Sequence, residues 1–211
     1  MEILLGDKFR LTRRSKDSVN KRFGMGLQFQ VNYTLSNNID DNSQQFAPEA
    51  NNNPRRLMDP EDSNRDKSPS AYDVRNNLLT NFSYDLPFGP GKALGGNIHG
   101  VPGALLGGWQ VNGIVSMVSG SPITVSMGFN RSRSAQTPTG SGFHERPDLV
   151  PGKSNNPTTG NRKDIDHWID PSSFVLPEAG YYGNLGRNTV SGPGVANVDF
   201  SLFKNTSLGE Q

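Results

Sequence analysis

The chain has 211 residues, of which only 32% are hydrophobic, with 24 glycines, 15 prolines and a mean hydropathy of -0.62. Such a composition is thin for a compact water-soluble core and predicts that much of the chain is loop. A net charge of +1 from 21 basic and 20 acidic residues provides no field for a nucleic acid or another polyanion, and the lack of cysteine excludes a disulfide framework and thiolate metal sites.

Met1 to Leu5 is followed at once by Gly6, Asp7 and Lys8, so no apolar leader is legible there; read literally, that start points to the cytoplasm. No run of about 18 apolar residues offers a membrane helix, but a membrane strand needs only about 9 to 11 residues. Lys8 to Arg14 reads as a short strand with Phe9 and Leu11 on one face. Phe23-Gly24-Met25-Gly26 is punctuation for a tight reversal. From Leu27 the alternation is unbroken: Leu27, Phe29, Val31, Tyr33 and Leu35 are apolar, while Gln28, Gln30, Asn32, Thr34 and Ser36 are polar. Successive side chains of a strand point to opposite faces, so this segment predicts a two-faced strand.

Residues 37–73 are dense in Asn, Asp, Pro, Ser and Arg and predict a long loop. Alternation returns at Leu78 to Leu86, with Leu78, Phe82, Tyr84 and Leu86 opposite Asn81, Ser83 and Asp85. A glycine-rich connection from Pro87 leads to the longest uncharged stretch, Gly108 to Phe129. There Trp109, Val111, Val115 and Met117 share one parity and Gln110, Asn112 and Ser116 the other, while Ile114 and Val118 break the polar side. Gly120 and Pro122 predict a bend, after which Ile123, Val125 and Met127 resume the strand pattern. Residues 130–196 predict a second long loop, and Val198, Phe200 and Leu202 alternate with Asn197, Asp199 and Ser201 in a last strand. Very little helix is expected.

Short and long connections alternate along the chain, as they do in outer-membrane barrels. Alternation also suits a soluble β-sandwich, and the charges discriminate between the two. The four clearest strand segments carry only Asp85 and Asp199, and their polar sides are Gln, Asn, Ser and Thr rather than the Lys and Glu of a solvated face. That favours an enclosed polar lumen. Phe23, Tyr84, Phe88 and Trp109 fall towards the short-turn side, as an interfacial aromatic girdle requires.

Several segments resemble the carboxy-terminal barrel of TonB-dependent outer-membrane receptors, particularly the Oar-like group with a carboxypeptidase-regulatory-like domain. They are LQFQVNYTLSNNIDD (27–41), SAYDVRNNLLTNFSYDLPFG (70–89), LLGGWQVNGIVSMVSGSPITV (105–125), RPDLVPG (146–152) and WIDPSSFVLPEAGYYGNLGRNTVSGPGVANVDFSLFKN (168–205). Asn76 departs from the histidine the family commonly has after Asp-Val-Arg. The resemblance implies a plugged barrel of about 22 strands that takes up a large or scarce solute, driven by TonB acting on the plug. It places the loops 37–73 and 130–196 outside the cell, where a solute ligand is met, and the strands in outer-membrane lipid. No plug domain, TonB box or closing strands are read within residues 1–211, so TonB would act only through a plug absent from this sequence. About five strands are too few to close a barrel, for which about eight is the smallest number.

The remaining motifs point to no chemistry. Asp62, Asn64, Asp66 and Asp73 have the offsets of a calcium loop, but Lys67 and Asp73 replace its glycine and its bidentate glutamate. Asp164, Asp166, His167 and Asp170 form an acid and imidazole cluster, and Asp170 before Pro171 reads as the start of a turn. The histidines His99, His144 and His167 are widely spaced, which argues against a catalytic metal. Gly91-Lys92 lacks the first glycine, the Ser or Thr and the helix of a phosphate loop, and Ser119-Gly120-Ser121 lacks the nucleophile-elbow frame.

The sequence therefore predicts an all-β chain: antiparallel up-and-down strands forming a partial, unclosed outer-membrane barrel, one domain over 1–211 with long loops at 37–73 and 130–196. It is expected to be part of a TonB-dependent receptor, not active in transport as this piece alone, and not an enzyme. No catalytic, cofactor-binding or metal residues and no cofactor are expected. The expected partners are a solute at the outer loops and outer-membrane lipid, with no nucleic acid. The alternative is a secreted β-sandwich that binds glycans or another surface, and a more distant one is a hydrolase built on Asp166 and His167. A sandwich would cover Leu27, Phe29, Val31 and Tyr33 with a second sheet, whereas a barrel leaves them without a protein layer.

Overall fold

A computed structural model describes residues 10–23, 26–42, 57–59, 61–134, 145–161 and 164–206. Five long strands, β1 (Arg10–Arg22), β2 (Leu27–Asp40), β4 (Asn76–Asp85), β5 (Trp109–Val118) and β10 (Val195–Lys204), form one sheet in the order β1-β2-β4-β5-β10. A two-residue strand, β3 (Ser68–Pro69), adds to β2 off that path. The long strands follow one another antiparallel in chain order and the sheet does not close, as the alternating segments predict.

The register aligns one parity across the sheet. Phe29 faces Phe82, Phe82 faces Gly113 and Gly113 faces Phe200; likewise Val31, Thr80, Val115 and Val198 form a row, as do Leu27, Tyr84, Val111 and Leu202. The opposite parity aligns Gln30, Asn81, Ile114 and Asp199, and beside them Gln28, Ser83, Asn112 and Ser201. Most apolar residues of the segments thus fall on one face, with Leu79, Ile114, Val118 and Phe203 on the other. None of Leu27, Phe29, Val31 or Tyr33 is buried, Val198 and Phe200 are 67% and 68% exposed, and among the described residues there is no second sheet of long strands to cover the apolar side.

Gly113 is the narrow point of the apolar face. A Cβ there would lie 2.4 Å from Cε1 and 2.6 Å from Cζ of Phe82, so the ring occupies the space a side chain would take. At the reversal between β1 and β2, Gly26 has φ 81 and the Phe23 amide donates to the Leu27 carbonyl at 2.8 Å.

Three expectations are corrected. The strand expected at Lys8 to Arg14 runs from Arg10 to Arg22, with Lys8 and Phe9 outside the described residues. Its Thr12, Ser18 and Arg22 side chains bond Asn38, Asn32 and Gln28 of β2, so pairing, not an apolar stripe, holds it extended. Leu11 and Val19 share their parity with Arg13, Asp17 and Lys21, and charges on an edge strand discourage unwanted pairing. Second, β5 stops at Val118. Beyond it only β6 (Pro122–Ile123) is extended, paired with β9 (Val190–Ser191), and Thr124 and Met127 are both buried although they lie on opposite parities. The bend is backbone-tight, since a Cβ at Gly120 would lie 1.8 Å from the Gly192 carbonyl oxygen. Third, the connection after β4 contains a helix, α1 (Gly100–Leu106), and the loop expected over 130–196 begins at Ser119 and holds its own small sheet, β7 (Asp148–Leu149) with β8 (Phe174–Val175).

By internal contact the chain divides into two compact units. The sheet unit comprises Ser15–Leu35, Asn76–Val118 and Val195–Gln211; the loop unit comprises Met1–Arg14, Ser36–Arg75 and Ser119–Gly194. Among the described residues the buried hydrophobic side chains, Met58, Met127, Leu185 and Val190, all belong to the loop unit.

Candidate functional site

In the sheet unit the polar face is a ladder of amides and hydroxyls. Asn81 Nδ2 donates to Gln30 Oε1 at 3.4 Å, Ser18 Oγ to Asn32 Oδ1 at 2.8 Å, and Gln110 Nε2 to Asp85 Oδ1 at 2.9 Å. Asp199 accepts from Asn197 Nδ2 at 2.8 Å, and Lys92 lies 3.9 Å from Asp85. Asn20, Arg22, Gln28, Gln30, Asn81 and Asn112 line a depression of about 600 Å³. Leu79, Ile114, Val118, Val195 and Phe203 interrupt this face and Arg22, Asp85 and Asp199 place charge on it; the remainder is amide and hydroxyl able to hydrogen-bond water and polar solutes.

The loop unit is organised around two buried arginines. Arg146 is 0% exposed; its Nη1 donates to Asp66 Oδ1, its Nε to the Leu185 carbonyl at 2.7 Å and its Nη2 to the Arg65 carbonyl at 3.1 Å. Burial pulls its guanidinium below the ordinary value, while the Asp66 carboxylate pushes the other way. Arg187 donates from Nη2 to both the carboxylate and the carbonyl of Asp40, and from Nε to the Asp66 carbonyl at 3.0 Å. Asp66 Oδ2 also accepts from the Met58 amide at 2.8 Å. A buried charge is tolerable only when paired and bonded in this way.

These bonds join two connections that are far apart in sequence. Asp40 ends β2, which runs four residues into the loop expected from 37, and Met58 and Asp66 come from the connection that follows it, whereas Arg146, Leu185 and Arg187 come from that between β5 and β10. Next to Arg187, Asn188 adopts φ 55 and bridges the same segments, donating from Nδ2 to the Pro69 carbonyl at 2.8 Å and accepting from Thr124 Oγ1 at 2.8 Å. Buried Glu145 accepts from the amides of Arg131 at 2.7 Å and Ser132 at 3.0 Å, holding the chain that precedes Arg146.

The residues weighed from the sequence are separated by this arrangement. Of the calcium-like set, Asp62 accepts from the Asn64 amide at 3.1 Å, Asp66 is engaged by Arg146, and Asp73 accepts from the Asn38 amide at 2.8 Å. His167 Nδ1 lies 2.8 Å from Asp164 Oδ2 on the surface. Asp170 caps the turn Pro171–Ser173, as its position before proline predicts, accepting from the Ser172 amide at 3.0 Å and the Ser172 hydroxyl at 2.7 Å. His144 lies outside the described residues. Among the described residues no three His, Asp or Glu side chains are grouped to hold a metal ion. Sequence reasoning did not find Asp40, Arg146 or Arg187 as a cluster; the one available signal was that Arg146 and Arg187 both fall within segments carrying the receptor resemblance.

Among the described residues no helix is long and apolar enough to cross a membrane, which says nothing of crossing by strands. No curated protein and no solved structure matches the chain. The family model described as an outer membrane beta barrel domain matches residues 17–211. Its location is therefore the outer membrane, which corrects the literal reading of the first residues. With that match over most of its length and an open antiparallel sheet, the chain belongs to the outer membrane beta barrel domain family.

Proposed function

We propose that the chain is part of a TonB-dependent receptor barrel that takes up a large or scarce solute across the outer membrane with energy from the inner membrane. The resemblance of its strand and loop segments to that group supports the reading. So does the loop unit, in which Arg146 and Arg187 bind two long connections into one folded body. Long loops left separate would sample many shapes, and pre-ordering them lowers the entropy lost when a ligand is captured. On this reading the solute meets residues 37–73 and 130–196 first, lipid surrounds the apolar face, and TonB acts through a plug elsewhere in the receptor. No residue performs covalent chemistry.

The test is a comparison of cells with and without the full-length gene, following depletion of solutes from the medium by mass spectrometry, with and without a protonophore. The reading expects at least one solute whose depletion requires the gene and stops when the proton gradient collapses. Gene-dependent depletion that persists with the gradient collapsed would indicate a passive pore, and no gene-dependent depletion would remove the uptake role.

A further inference from the structure

The connection between β4 and β5 is long for the short-turn side of a barrel, and α1 within it is held in an unusual way. Trp109 and Lys204 face each other in register, both on the parity of the apolar face. Trp109 Nε1 donates to the Leu105 carbonyl at 3.0 Å, and Lys204 Nζ donates to the carbonyls of Ala104 at 2.6 Å, Leu105 at 3.0 Å and Gly107 at 2.8 Å. The ammonium also sits 4.9 Å from the Trp109 ring centroid. All three donors of the lysine are used on the carbonyl end of the helix, where the backbone dipole is negative. The C-terminus of α1 is therefore fixed to the apolar side of the sheet.

What α1 presents outward is apolar. A Cβ at Gly103 would lie 2.5 Å from the Ile98 carbonyl oxygen and 3.0 Å from Pro90 Cγ, so that side packs on its own connection. Val101 and Leu105, one helical turn apart, are 73% and 63% exposed, and Leu94 and Leu106 are also exposed. Residues 86–108 contain no carboxylate. An uncovered apolar patch of this kind marks an interaction surface. The Trp109–Lys204 pair that holds α1 is the next pair on the same parity after Val111 and Leu202, in the row with Leu27 and Tyr84 that faces lipid in a membrane barrel.

We propose that α1 is an interfacial anchor: Val101, Leu105 and Leu106 insert into the phospholipid leaflet on the short-turn side, with Trp109 and Lys204 clamping the helix at headgroup level. The indole and the lysine suit that depth, since each combines apolar body with a polar end. This rests on the membrane location of the barrel family, not on the uptake reading, so either can fail alone.

Residues 1–211 contain no cysteine, so one introduced there is unique among them, and any cysteine elsewhere in the full-length protein is first replaced by serine. In the full-length protein reconstituted into phosphatidylethanolamine and phosphatidylglycerol vesicles, a polarity-sensitive fluorophore is placed on V101C, L105C and L106C. F200C serves as the reference on the sheet and Y181C as the aqueous reference. The expected result is quenching of the three α1 labels by a shallow lipid nitroxide, several-fold above Y181C, with weaker quenching by a deep nitroxide than F200C shows. Adding V101N and L105N together is expected to reduce quenching at L106C several-fold while F200C is unchanged. Quenching of the α1 labels only by aqueous iodide, to the level of Y181C, would overturn the proposal. So would an L106C signal indifferent to the two asparagines, or disulfide crosslinking of L105C between copies, which would make a second copy the occupant.

Discussion

The Arg146 guanidinium and the Asp66 carboxylate form an ion pair with both side chains 1% exposed, between residues 80 positions apart. Removing one member strands the other charge in a dry site, which costs about 3–5 kcal/mol. R146M is expected to lower the stability of the loop unit by that order, read as faster proteolytic cleavage within residues 57–66 while the sheet remains folded. Adding D66N to R146M should recover part of the loss.

Arg187 and Arg146 share Asp66, one through its carbonyl and the other through its carboxylate. Substitutions at groups with a common partner do not add, and the coupling is about 0.5–3 kcal/mol. The R187M and R146M pair is therefore expected to cost less than the sum of the single changes, measured as protection of the loop unit against protease. Strict additivity would mean that the two arginines fasten separate parts of the unit.

Gly113 leaves room for the Phe82 ring, which a Cβ would meet at 2.4 Å. G113A is expected to destabilise the sheet by about 1–3 kcal/mol, the usual cost of overpacking, seen as a lower urea midpoint for folding into lipid vesicles. With F82L, whose shorter side chain frees the space, the same G113A change should cost less.

Asp170 is held at a pKa of about 2, below the ordinary 3.8, first by the Ser172 hydroxyl and then by the Ser172 amide. The folded value is depressed, so the contribution of the cap is complete above about pH 4 and is lost as the pH falls towards 2. A carbon-13 titration of the Asp170 carboxyl is expected to show a midpoint near 2. In S172A the midpoint should move up towards 3.8.

The strands with one oily parity were legible because alternation is a local signal: Leu27 to Leu35, Leu78 to Asp85 and Asn197 to Phe203 needed no partner to be read. β1 was legible only in part, because Leu11 and Val19 stand among Arg13, Asp17 and Lys21, and its extended form depends on bonds to Gln28, Asn32 and Asn38. Ile123, Val125 and Met127 carry the same local pattern without being a long strand, since the close approach of Gly120 and Gly192 turns the backbone and buries Thr124 and Met127 alike. The arginine cluster was hidden for the opposite reason. Charged residues in a polar loop read as solvated, and only a partner 80 or 147 positions away makes burying Arg146 or Arg187 tolerable.

In an outer-membrane barrel one parity of this sheet meets lipid and the other an aqueous interior. Spin labels placed singly at residues 77 to 84 of β4 in the full-length protein, in lipid bilayers, test it through accessibility to oxygen and to a water-soluble nickel complex. Oxygen maxima are expected at Leu78, Thr80, Phe82 and Tyr84 and nickel maxima at Asn77, Leu79, Asn81 and Ser83. A profile without that two-residue period, or with the two sets exchanged, would contradict it.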